Sequence, residues 1–587
     1  MIKRTSTIIA IACLFSLNIY GQQNNPRLHQ LFADYYKESN LLNPINATFS
    51  GINDYNDLFP ADDEEHLKKV HSFYSNYLSL LEGFPKKSLN REDKISYEIL
   101  ENDLKTALLL EKFHAEYIPI TQFWNAPSFI AMLGSGTSAQ PFKTVKDYDN
   151  WLKRCKAYSY WTNVAISNMR KGIKSGYVLP KSLVIKIIPQ IRTLAKNEDN
   201  STFYEPIKNF PKDFSESDKS RLTKAFKETI PNNIFASNQK LEVFFQNEYL
   251  PKARSTSGIN ALPNGTEMYK DYIFANTTTR KDPKEVYQLG LSEVARITTE
   301  MEKIKNQVKF KGTLPEFFEF MKTDKQFYPF KTDKEVLDAY RKVYDKIKPN
   351  IPKYFGITPK TLFEIRKTED FRAGSASPEY FPGDLPTNRP GIFYVPILDP
   401  TKINITNMDM EAVFLHEAIP GHHFQFSLQS ENKSVPEFRQ KYWSSAFGEG
   451  WALYTESLGK DLGLYTDPFH QLGVLGAEMH RAIRLVVDAG LHTGKMNREE
   501  AIKYMVDNEP ISEQFATAEI ERYMAMPAQA LSYKTGQLKI LELRDRYKHM
   551  LGDKFSIRDF HDAILKGGAM PLTVLDNYMD DWAKSVK

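Results

Sequence analysis

Residues 415–424 read LHEAIPGHHF and place three histidines and a glutamate within positions 416–423 of a chain that has only 12 histidines. Two imidazoles on a divalent metal, with a carboxylate alongside to move protons, are the equipment of a hydrolytic zinc site. The familiar spacing is H-E-x-x-H, because residues four apart share one face of a helix. Here the fourth place after His416 is taken by Pro420, and the next histidines are His422 and His423. In a regular helix, a residue six positions on is turned about 120° off the face of His416, and one seven positions on lies about 10.5 Å along the axis. A regular helix therefore cannot bring either histidine to the same metal as His416.

The sequence itself argues against a regular helix. Pro420 has no N–H, and its ring would collide with the carbonyl of His416. Gly421 accepts backbone angles that other residues avoid. Together they predict a bulge that loops two residues out of one helical turn. That bulge returns His422 to the position of an ordinary second ligand and makes Glu417 the general base. His423 is the alternative ligand; otherwise it faces a neighbouring helix or the cleft wall.

A third ligand is expected from a downstream helix. The segment FGEGWALYTESLGKDLGLY (447–465) carries Glu449 and Glu456, seven apart on one face. Glu449 follows His422 by 27 positions, room for a loop and a returning helix. A two-histidine, one-carboxylate zinc site leaves one position for water. The pattern alone leaves either acid open for the role, or a plain dipole-favoured acid at a helix start.

The elements that must hold these groups are mostly helices. Apolar residues recur at spacings of three and four in 95–117 and 148–176, the latter stopping at a glycine. The polar stretch 196–220 reads as loop. Between 361 and 400, TLFEIRKTEDF and GIFYVPIL read as strands of a small sheet just before the histidine motif. From 408 onward the helical pattern returns. The expected fold class is mainly α, a large multi-helical body with a minor sheet. A length of 587 residues predicts two or more lobes or one large layered body. The expected division is a signal peptide at 1–21, an N-terminal helical region at 22–260 and a C-terminal catalytic region at 261–587; residues 22–587 as one continuous domain is the alternative.

Composition excludes other classes. Lys+Arg is 77 and Asp+Glu is 73, a net charge of +4 that leaves no basic footprint for nucleic acid. Lys3 and Arg4 precede the apolar run TIIAIACLFSLNIY, which reads as an export signal ending near Gly21. The expected location is periplasmic or secreted. A lipoprotein anchor at Cys13 is the less favoured alternative, because the residues after it stay apolar. No later segment is apolar enough for a membrane span. With Cys13 removed, Cys155 stands alone, so neither an internal disulfide nor a cysteine-ligated metal is expected.

HEAIPGHHFQ together with GEGWALYTE resembles the bacterial family catalogued as domain of unknown function 885, and more broadly the gluzincin metallopeptidases. The likeness extends through 388–397, 481–502, 521–540 and 560–572. It implies a two-lobed, gluzincin-like peptidase body with a deep cleft, a Zn2+ cofactor and a peptide substrate. By analogy with the gluzincin NEG segment, GEG favours Glu449 over Glu456 as third ligand. With zinc on His416, His422 and Glu449, Tyr533 becomes the first candidate for oxyanion donor and His492 the second. Asp488 is a candidate to orient a histidine ligand, and Arg522 with Tyr523 to bind a substrate carboxylate. GIFYVPI is a candidate strand edge for an extended peptide. The expected activity is an exported zinc-dependent peptidase. The competing expectations are a helical binding protein with an inert site and a zinc hydrolase of non-peptide amides or esters; an intact Glu417 argues against the first.

Overall fold

The computed structural model describes residues 25–586, apart from 124, 370–372, 374–375 and 407–409. The signal segment and Cys13 lie outside the described residues. The chain is mainly α with one small sheet. Strand β1 (Phe363–Lys367) runs parallel to β3 (Gly391–Val395), and β2 (Glu379–Phe381) pairs antiparallel on the other side of β3. The sheet therefore sits where the sequence places it, between helix 333–347 and the histidine motif. Its order is β1-β3-β2, so GIFYV is the central strand and both its edges are taken. That corrects the expectation that it offers an edge to a peptide; the open edges belong to β1 and β2.

Local chemistry sets the helix ends. The longest helix, Val145–Ser175, starts at a capping box in which Thr144 and Asp147 exchange bonds, and stops at Gly176 in the left-handed region. Residues 196–220 are less loop-like than their polarity suggests. Short helical turns cover Thr202–Tyr204 and Glu205–Lys208, and a helix begins at Glu216 behind the Ser215 cap with Glu216 and Asp218 in its first turn. Among the described residues, no helix is long and apolar enough to cross a membrane. Cys155 is a buried free thiol in the first core.

Two large apolar cores organise the described residues. The first gathers Trp151, Tyr158, Phe226, Phe317, Met479, Val486, Ile520 and Tyr523. The second gathers Phe32, Tyr97, Phe393, Phe414, Phe447, Trp451, Leu543 and Ile564. The helices that carry the histidine motif and GEGWALYTE belong to the second core, whereas helices Pro468–Thr493 and Glu513–Ala525 build mainly the first.

Candidate metal centre

The helix Met410–Glu417 ends at the motif glutamate, and a new helix, His422–Glu431, begins at the second histidine. The two are joined by a turn containing a cis Ile419–Pro420 bond. This corrects the expected bulge: the chain breaks one helix and starts another, because Pro420 cannot continue the ladder. Gly421 is needed at the joint. A Cβ there would lie 2.0 Å from the His416 carbonyl oxygen and 2.3 Å from that of Leu415.

The downstream helix Ser445–Glu456 pins this turn from both sides. Trp451 Nε1 donates to the Pro420 carbonyl at 3.0 Å, and Thr455 Oγ1 donates to the Leu415 carbonyl at 2.9 Å. The same helix carries Glu449 in beside the histidines. Glu449 Oε2 lies 3.5 Å from His416 Nε2 and 3.6 Å from His422 Nε2. The two imidazole rings stand perpendicular with centres 4.9 Å apart. Ligand atoms around a tetrahedral ion about 2.1 Å away lie about 3.4 Å from one another, so both distances from Glu449 Oε2 are those of ligands that share a metal. Glu417 joins them: one atom each from His416, Glu417 and His422 falls within 4.8 Å of the others.

The electrostatics call for a cation. Glu456 Oε1 sits 2.7 Å from His416 Nδ1. A carboxylate there accepts a hydrogen bond from Nδ1–H, which keeps the proton on Nδ1 and leaves the Nε2 lone pair of His416 turned toward a Glu449 oxygen. Two lone pairs so placed need a proton or a metal ion between them. Burial alone would lower the His416 pKa, but Glu449 and Glu456 outweigh it and hold it up to about 9. Burial works against the Glu449 charge as well, yet the two histidines hold its carboxyl well below the ordinary range. Burial pushes the Glu417 carboxyl up, against the pull of His416 and His422. The Glu417 and Glu449 side chains keep 17% and 15% of their surface exposed, so both reach the solvent side of the cluster.

His423 points elsewhere. Its Nδ1 lies 2.9 Å from the Tyr380 hydroxyl on β2, its ring packs on Phe363 of β1, and burial lowers its pKa to about 4. It anchors the motif to the sheet. Glu456 stands behind His416 and also lies 3.7 Å from Arg481. Its place is therefore the one proposed for Asp488, orienting a ligand, and Asp488 is corrected accordingly. Asp488 is fully buried, takes the Tyr269 hydroxyl at 2.6 Å and accepts from Ala528 N–H.

Tyr533 stands over the cluster. Its ring is nearly parallel to that of His416 with centres 6.4 Å apart, and burial and the Glu449 charge raise its pKa to about 12. It keeps its proton and can donate it in a hydrogen bond. His492 cannot. Its Nδ1 accepts from Ile259 N–H at 3.2 Å, its Nε2 lies 3.1 Å from the Tyr523 carbonyl oxygen, and burial lowers its pKa to about 3. Both nitrogens are committed to backbone, which corrects the catalytic expectation.

Arg522 and Tyr523 are likewise occupied. Arg522 holds Glu519 at 3.1 Å and Gln529 at 2.9 Å, and the Tyr523 hydroxyl donates to Glu519. Arg484, which motif reasoning missed, joins the same carboxylate at 3.0 Å and lies 4.6 Å over the Tyr533 ring. The signal was present: Arg481 and Arg484 are charges inside an otherwise apolar helical run, which is costly unless they are paired or used.

Comparison with known proteins follows the same lines. The protein described as "the putative lipoprotein from Colwellia psychrerythraea" is 26% identical and superposes with a TM-score of 0.84, covering 95% of this chain and 99% of its own. The protein described as "a putative lipoprotein of unknown function from Shewanella oneidensis" is 19% identical with a TM-score of 0.74, over 94% and 99% of the two chains, and shows the fold alone. No curated protein matches the sequence. A family model described as "Bacterial protein of unknown function (DUF885)" matches residues 44–579, so the chain belongs to that family.

Proposed function

We propose that this protein is an exported zinc-dependent peptidase. The observation that carries the reading is the meeting of His416 Nε2 and His422 Nε2 on one oxygen of Glu449, with Glu417 beside them. These residues would hold zinc through His416, His422 and Glu449, and zinc so held supplies a water acidic enough to attack at neutral pH. Glu456 fixes the His416 ring by accepting a hydrogen bond from its Nδ1–H. Glu417, its carboxyl raised by burial, takes a proton from the attacking water and returns it to the leaving amine. Tyr533, protonated and facing the cluster, donates to the oxygen on which charge develops. The two large cores support a two-lobed body with the site between its walls. The description of the 26% identical relative as a lipoprotein supports an exported or envelope location.

The test uses zinc-replete mature protein and its Glu417→Gln variant. Both are expected to carry about one zinc per chain, and only the wild type to digest a peptide library, with turnover in the variant down by a factor on the order of 10² or more. Wild-type protein without zinc, or equal digestion by both, sinks the reading.

A further inference from the structure

Helix Pro468–Thr493 passes beside the candidate centre, where Arg481 lies 3.7 Å from Glu456, and lays Arg484 over the Tyr533 ring. The Arg484 side chain is 10% exposed, and its contacts are unequal. Nε donates to the Tyr523 hydroxyl at 2.9 Å and Nη2 to Glu519 at 3.0 Å, which uses one edge of the guanidinium fork. Nη1 is buried and has no hydrogen-bond partner. A buried guanidinium N–H without an acceptor is a cost that folded proteins rarely carry, and a bound anion removes it.

The charges around it favour an anion. Glu519 is one carboxylate shared by Arg484, Arg522 and His480, at 3.0, 3.1 and 3.3 Å. Arg522 spends its remaining Nη1 on Gln529, whereas Arg484 keeps a donor in hand. Glu509 answers His480 at 2.8 Å, so Arg484 and Arg522 are left to share the single carboxylate of Glu519.

Position says which anion. The Arg484 guanidinium lies 4.6 Å over the Tyr533 ring, and that ring's centre is 6.4 Å from the His416 ring. One extended residue spans about 3.5 Å. The two distances together put the guanidinium no more than about 11 Å from the His416 ring, so a chain end held at Arg484 brings one of its last few peptide bonds to the metal residues. We propose that the free Nη1 edge of Arg484 binds the C-terminal carboxylate of a peptide, so that the centre removes residues from the C-terminal end. The peptidase part of this inference rests on the function proposed above; the carboxylate site does not. It moves the carboxylate-binding role from Arg522 to Arg484.

The experiment measures binding, so it does not depend on turnover. Zinc-loaded Glu417→Gln protein is titrated by calorimetry with acetyl-trialanine and with its C-terminal amide. The free acid is expected to bind about tenfold or more tighter, the scale of a charge-assisted hydrogen bond. The preference is expected to vanish in Arg484→Gln, which leaves Glu519 paired with Arg522 and His480, and to survive Arg522→Gln. Arg484→Lys is the second variant should the first not fold: it keeps the charge, loses the fork and is expected to lose most of the preference. Equal binding of acid and amide, no binding of either, or a preference that survives loss of Arg484 overturns the proposal. An acid preference that depends on Arg484, in a protein that digests no peptide, keeps this site and removes the peptidase reading. Digestion of peptides without an acid preference does the reverse.

Discussion

Gly450 and Gly536 meet backbone to backbone. A Cβ on Gly450 would come within 2.5 Å of the Gly536 Cα, and one on Gly536 within 1.8 Å of the Ala446 carbonyl oxygen. The two helices in contact, Ser445–Glu456 and Ser532–Leu551, carry Glu449 and Tyr533. Their close approach brings the Glu449 carboxylate to the His416 Nε2 edge and the Tyr533 ring against the same imidazole.

Gly536→Ala must push these helices apart, because its clash is with backbone. It is expected to lower stability by more than about 2 kcal/mol and to weaken zinc retention. Gly476→Ala is the control, since a Cβ there meets nothing within 4 Å and a mid-helix alanine is expected to gain about 0.5–1 kcal/mol. Urea unfolding of the two variants checks this. Wild-type stability in Gly536→Ala would show that the contact does not set the spacing.

Glu456→Gln keeps the size of the side chain and loses the negative charge that makes it a strong, acceptor-only partner for His416 Nδ1–H. Zinc affinity is expected to fall about 10- to 100-fold, read by competition with a chelator. An unchanged affinity contradicts the orienting role.

The two adjacent histidines separate cleanly. His422→Ala is expected to lose zinc. His423→Ala is expected to keep it while losing about 1–3 kcal/mol of stability, because the Tyr380 hydroxyl is left without its partner. Loss of metal from His423→Ala and retention in His422→Ala would falsify the register.

Asp488 links stability to pH. Burial raises its pKa from 3.8 to about 7, against the hydrogen bonds from Tyr269 and Ala528. The unfolded chain releases this proton near pH 4 and the folded chain near pH 7. Stability therefore falls as pH rises through that window and levels off above it. Asp488→Asn mimics the protonated form. It is expected to be more stable than wild type at pH 8 by about 1–4 kcal/mol and no more stable at pH 3.5. Denaturant melts at both values decide, and a gain independent of pH refutes the assignment.

The mainly helical class, the position of the sheet and the family were legible in the sequence, because periodicity and motif spacing are local. The approach of His422 to His416 was legible too, since Pro420 and Gly421 announce a break between the histidines, whereas Glu449 was singled out from Glu456 only by the likeness of its segment. The form of that break was not: a bulge and a new helix return His422 equally well. Glu456, Arg484 and Glu519 were hidden for another reason. Their roles depend on which helix packs behind which, and 35 positions separate Arg484 from Glu519. His492 and Asp488 misled because a buried polar residue beside a motif looks the same whether it serves chemistry or ties backbone together.

The two cores give the site a mechanical character. His416, His422 and Glu449 ride on helices of the second core, and Arg484 and Glu519 on helices that build mainly the first. On the proposed reading, the reach from Arg484 to His416 is a distance set by how the two cores pack, and that packing fixes how much chain lies between the held end and the ion.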